Sequence, residues 1–313
     1  MLRGRSIKCI CVSFPLTGKG TVECCTLPAN AIYRMSNYVA QCKSKNLLLL
    51  GQATIYASHY YRKAIVAYCS IEEKTNRTNV LMELIRRIEC NSSAIRFLVE
   101  TSIKAESKPF LKLPIGLLIR SCLIDSIMAL YLSAIDESTA SDIINDFNQD
   151  YVKAMPDRFE VYSDRFAVEK YDDEFLKLIY GLQIEDTYPN HIDWSAYHKE
   201  GTSKYGFFKI KSHSRFTISN AYKYLKGDDR YSLLSKKLYA YYREYSQYEH
   251  FSVFSHTSYT ATYDDDNPSM AKSFEYISHA VEYIGVNMSL SEMMEEYFTK
   301  AYSGIVKILH DAI

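Results

Sequence analysis

The sequence predicts an all-α fold, a helical bundle, on three observations. Glycine and proline, the residues that build turns, number only 11 and 7 in 313 residues, whereas a β-rich chain needs many turns. From Ser36 onward, apolar and aromatic side chains recur every three or four positions, the period of a helix with one buried face. Hydrophobic residues make up 47% and charged residues 24% of the chain, a globular composition in a length that allows one large domain or two smaller ones.

Residues 1–34 differ from the remainder of the chain. They read either as a hairpin, with Ile7–Phe14 and Thr21–Leu27 flanking a Gly-containing turn, or as a poorly ordered N-terminal extension ahead of a start and cap at Met35-Ser36. Residues 35–313 form the predicted bundle domain. Its first helix runs over Leu47–Tyr68, and a second over Thr78–Cys90, capped by Thr78 or Asn79 with Arg86-Arg87 at its end. Ser93–Ile103 continues or restarts it. Pro114 opens a strongly apolar helix through Ile135, followed by Ser138–Met155 with Asp146 and Asp150 on its wet side. Residues 184–216 carry the sole Trp (Trp194), Pro189 and weak periodicity, and are predicted to be an irregular insertion. Helices then run over Thr217–Lys226 and Tyr231–Ser252. Tyr263–Pro268 is a turn with Pro268 at a first helical position, and its three aspartates suit a helix N-terminus better than a cation site. The last helices span Ser269–Val286 and Ser289–His310, the latter opened by a capping box of Ser289 and Glu292.

Net charge is zero, so no global field draws the chain to nucleic acid or membrane. The charges are segregated, however. Asp136–Asp186 holds fourteen Asp/Glu against five Lys/Arg, and Lys199–Arg243 holds eleven Lys/Arg against three Asp/Glu. Such runs are either solvated faces that neutralise each other or, for the second, a surface for an anionic ligand.

All eight cysteines lie at or before Cys122, in a chain neither small nor loop-rich, which points to reduced thiols rather than a disulfide scaffold. Cys9, Cys11, Cys24 and Cys25 lack the paired CxxC knuckles of a zinc ribbon. The apolar stretch Ile10–Phe14 is too short for a signal-peptide core, and Arg120 and Asp125 interrupt the longest apolar run, Leu111–Leu132. The expectation is a cytoplasmic protein with no membrane span. Gly18-Lys19-Gly20-Thr21 lacks the earlier glycine of a phosphate loop, and no predicted helix carries carboxylates and histidines at metal-ligand spacing. No cofactor or metal is expected.

The chemistry-bearing candidates are Arg243, Ser246 and His250, at i, i+3 and i+7 on the Tyr-rich helix. Residues seven apart on a helix return to within about 20° of one another, so the three share a face. That face sets a permanent cation beside a group that titrates near neutrality, a pairing that binds phosphate and moves a proton. An Arg followed after six residues by a His, on a late bundle helix, resembles the signature of the HEPN superfamily. The segment Tyr245-Ser246-x-Tyr248-x-His250-x-Ser252 is similar to one in HEPN-like helical proteins of bacterial defence and toxin systems. In those proteins an earlier apolar helix carries a buried Arg and an acidic residue, which Arg120 and Asp125 resemble. Glu244 stands where the family commonly has Asn, Asp or His after its Arg.

The resemblance implies a metal-independent endoribonuclease, with His250 moving protons at the ribose 2′-hydroxyl and Arg243 stabilising charge on the phosphate. Ser246, Arg120 and Asp125 would support the pair. It also implies a homodimer with a composite cleft, and an RNA substrate with a cognate antitoxin or defence partner protein. Lys209, Lys211, Arg215, Lys223, Lys236 and Lys237 are candidate contacts to an RNA backbone, and ten of the 28 tyrosines lie between Tyr222 and Tyr263, where exposed rings stack unpaired bases. Competing readings stand beside this one. Tyrosines at helical spacing also serve as half-buried packing, His250 as a helix-end group, and Arg120 and Asp125 as a structural polar network. The rival function is a non-catalytic helical module that binds a partner protein or nucleotide ligand.

Overall fold

The computed structural model describes residues 45–104, 112–144, 199–202, 208–210, 217–249 and 268–311. The first helix, α1 (Lys45–Cys69), buries Leu47, Leu50, Ala57, Tyr60, Tyr61, Ala64 and Tyr68 on its inward side, as its period predicts. Helix α2 (Asn76–Lys104) is one continuous helix, with no restart at residue 93. Its polar middle is accommodated by side-chain bonds: Ser92 donates to the Ile88 carbonyl (2.6 Å), Ser93 to Glu89 (2.9 Å), and Asn91 to Ser121 of the next helix (3.1 Å). The cap also differs from expectation. Thr78 and Asn79 lie inside the helix, and the Thr75 hydroxyl accepts from the Thr78 N–H (3.2 Å).

Helix α3 (Lys112–Ala134) is largely apolar, with Arg120 and Asp125 as the charges in its middle. It is long and apolar enough to cross a membrane, yet 61% of its most apolar stretch is buried inside the protein, the pattern of a core helix and compatible with a soluble protein. The helical segment 137–144 comes next. Its cap is Asp136, which accepts from the N–H (2.9 Å) and hydroxyl (2.7 Å) of Thr139. Arg77 of α2 ties this corner down by pairing with Glu137 and donating to the Ile135 carbonyl (2.7 Å).

Inside the predicted insertion, β1 (Lys199–Thr202) and β2 (Phe208–Ile210) pair antiparallel as a two-stranded ribbon, with Lys199 opposite Ile210. Helix α4 (Ile218–Gly227) begins at Thr217, whose hydroxyl accepts from the Asn220 N–H (3.2 Å). Helix α5 (Ser232–Ser246) ends six residues before the predicted Ser252. Residues 247–249 continue as a turn whose N–H groups reach back three residues, a tightened end to the helix.

Helices α6 (Ser269–Asn287) and α7 (Ser291–His310) complete the bundle. The predicted capping box at Ser289 is overturned: α7 begins after Leu290, and Ser289 instead terminates α6 in a left-handed conformation, φ 58°. The N–H of Leu290 donates to the Gly285 carbonyl (2.8 Å) and that of Ser289 to Val286 (3.1 Å), the two bonds of a Schellman ending. With the backbone turned this way, the Ser289 side chain caps nothing in α7.

Helix α3 is the axis. It packs against α2, α4, α5 and α6, while α1 closes the other side against α2, α6 and α7. The described protein is all-α in class, with the ribbon as an excursion from its bundle.

Candidate functional site

Helix α5 packs on α3, and the turn that follows α5 lies over Gly116 of α3. A β-carbon there would come within 2.8 Å of the Tyr248 ring, so only glycine lets that buried tyrosine rest on α3. One turn along α3, Arg120 faces the same end of α5. Its Nε donates to the Ser246 hydroxyl (3.3 Å), its terminal nitrogen pairs with Glu249 (2.6 Å), and its guanidinium lies 5.6 Å from the Tyr242 ring centroid. Ser246 in turn donates to the Tyr242 carbonyl (2.7 Å). The Arg120 side chain is 21% exposed and that of Glu249 45% exposed, so the pair sits at the edge of solvent.

Arg243 is exposed on α5, one turn before Ser246, and among the described residues it has no carboxylate partner. Lys236 is exposed seven residues earlier and therefore on the same face. Lys223 and Lys237 are exposed as well. Lys209 lies on β2. His250, Lys211 and Arg215 lie outside the described residues, as do Asp264–Asp266, His256 and the cysteines before residue 45.

Asp125 does not join this group. It is buried on the side of α3 facing α2, where Oδ1 meets Arg87 at 3.3 Å and Oδ2 has no hydrogen-bond partner among the described residues. Burial pushes its carboxyl up from an ordinary 3.8 to about 6, with Arg87 pulling the other way. Arg120 and Asp125 thus diverge to opposite neighbours, as a five-residue spacing on a helix dictates. His59 rests edge-on against Tyr297 on α7, a packing position.

The tyrosines divide by depth. Tyr245 and Tyr248 are buried, and Tyr241 packs on Tyr276 of α6, where burial pushes its hydroxyl up to about 12. Tyr222 stacks on Tyr239 nearly parallel at 4.1 Å, and Tyr239 leans on Tyr242 at 5.6 Å, so half-buried rings join α4 to the Arg120 pair. Tyr224, 46% exposed, stands edge-on to Tyr131. Sequence reasoning missed Gly116, Tyr242 and Glu249. Their signals were present but ambiguous: a glycine four residues before a lone arginine, and an acid three residues after Ser246.

Among the described residues, no three His, Cys, Asp or Glu side chains gather as a metal ion needs, and Cys69, Cys90 and Cys122 are free thiols. Comparison with family models, curated proteins and solved structures finds no match for this chain.

Proposed function

We propose that the protein is a metal-independent endoribonuclease of the HEPN type, acting in the cytoplasm in bacterial defence or a toxin–antitoxin pair. The observation that carries this reading is the placement of two arginines around Ser246. Arg243 stands solvent-exposed one turn before it, and Arg120 reaches it from α3. His250 comes directly after Glu249 in the chain. In the proposed reaction His250 takes the proton of a ribose 2′-hydroxyl. That oxygen attacks the adjacent phosphorus, the bond to the 5′-oxygen breaks, and the proton passes to this leaving oxygen. Arg243 stabilises the charge that builds on the phosphate. The exposed Lys223, Lys236 and Lys237 suit an RNA backbone, and the protein acts as a homodimer held in check by an antitoxin or defence partner.

Purified protein incubated with total RNA and EDTA, beside Arg243→Ala and His250→Ala, tests the proposal. Cleavage by the wild type and a loss of about a hundredfold or more in either variant are expected. Intact RNA with a confirmed native dimer rejects it. Leu233, 72% exposed at the start of α5, supports the second reading, a non-catalytic module that docks a partner protein. In that case Leu233→Asp abolishes partner binding, and Arg243→Ala changes nothing.

A further inference from the structure

Arg120 is a cation on a largely apolar helix, placed at the edge of solvent and not among the buried residues of that helix. A core position needing only volume would hold an aliphatic side chain, because an ion pair stabilises a fold no better than apolar packing does. Instead the guanidinium is brought to the surface, set against Tyr242, aimed at Ser246, and covered by one carboxylate. That carboxylate, Glu249, is 45% exposed and belongs to the turn after α5, not to a regular helix. A contact of this kind is weakly held and exchanges with other anions. Carboxylate and phosphate oxygens meet an arginine through the same N–H···O geometry.

We infer that Arg120 is a second phosphate-binding residue beside Arg243, and that Glu249 occupies it as an internal stand-in for an RNA phosphodiester. The two arginines act on either side of Ser246: Arg243 is three residues before it on the helix, where side chains are neighbours, and Arg120 donates to its hydroxyl. Opening the Glu249 carboxylate away frees Arg120 while Ser246 and Tyr242 keep the guanidinium in place. Arg120 and Arg243 then flank one strand as two fixed charges, and Glu249 holds the free protein in a low-affinity state.

The ligand assigned to Arg120 rests on the proposed RNA substrate, but not on its cleavage. The test therefore uses a fluorescein-labelled, fully 2′-O-methylated 12-mer, which has no 2′-hydroxyl to attack, with affinity read by anisotropy across a salt series. Glu249→Gln is expected to bind up to about fivefold more tightly than wild type, the most that a half-exposed ion pair withholds. Arg120→Met is expected to bind several-fold more weakly, with a salt slope smaller by about one, as for any lost phosphate contact. Arg120→Lys, which keeps the charge, guards against a folding defect, and all variants are first compared by circular dichroism. Millimolar inorganic phosphate is expected to leave binding of the oligonucleotide unchanged. Unchanged or weaker binding by Glu249→Gln, or an unaltered salt slope in Arg120→Met, overturns the inference, as does full competition by inorganic phosphate. If native RNA stays intact while the Glu249→Gln gain appears, the nuclease reading fails alone. If RNA is cut and the gain is absent, the Arg120 assignment fails alone.

Discussion

At the scale of single residues, the ionisable groups of α3 show how one turn of helix decides a role. Arg120 and Asp125 are five positions apart, and the helix sends one to solvent and the other inward. Asp125 is the one that penalises the fold. Its carboxyl is raised from 3.8 to about 6 by burial, so the folded state binds the proton more tightly than the unfolded state does. Stability from this group is therefore highest below about pH 4, falls as pH rises through the window from about 4 to 6, and is flat above it. Asp125→Asn removes that dependence. The variant is expected to gain on wild type, on the order of 2–3 kcal/mol, between pH 4 and pH 7, measured as the difference in urea unfolding free energy at each pH. A difference independent of pH would refute the assignment. Arg87, which faces Asp125 at 3.3 Å, limits the penalty without cancelling it.

At the scale of elements, close approach matters more than propensity. Gly116 lies inside α3, where alanine would ordinarily stabilise a helix by about 1 kcal/mol. Here the added methyl meets the Tyr248 ring at 2.8 Å, and Tyr248 is buried. Gly116→Ala is expected to destabilise by about 1–3 kcal/mol net and to perturb the near-ultraviolet signal of the tyrosines. Gly227, at the end of α4, is the control: its β-carbon would meet nothing within 4 Å, and Gly227→Ala is expected to leave that signal unchanged. Thermal unfolding tracked at both far- and near-ultraviolet wavelengths distinguishes them. The same contrast between local and distant contacts explains which caps were legible. The start of α4 was legible at Thr217, though not its role as the cap, which is a local bond from the Asn220 N–H to its hydroxyl. Ser289 misled because Ser-x-x-Glu is equally compatible with a left-handed ending of the preceding helix, here closed by the backbone bonds from Leu290 to Gly285 and from Ser289 to Val286.

At the scale of the whole molecule, α3 couples the two sides of the bundle, since α2, α4, α5 and α6 all pack on it. A cavity at its centre is felt by every neighbour. Leu123, fully buried, is the sharpest probe: Leu123→Ala is expected to lower stability by about 2–5 kcal/mol. Because the helices share one core, far-ultraviolet and tyrosine signals are expected to shift to the same lower denaturant midpoint. Separate midpoints would show that α4–α5 folds apart from the remainder.

By itself the sequence determined the all-α class, the apolar character of α3 and the approximate position of each described helix. Those properties come from the period of apolar residues and from the scarcity of glycine and proline, which are local quantities. The tertiary structure alone decided the partners: Arg120 with Ser246 and Glu249, Asp125 with Arg87, Tyr248 over Gly116. Each joins residues far apart in the chain, on helices whose facing sides only packing sets. A periodic pattern says that a side chain points inward or outward, and it carries no information about which distant group waits there.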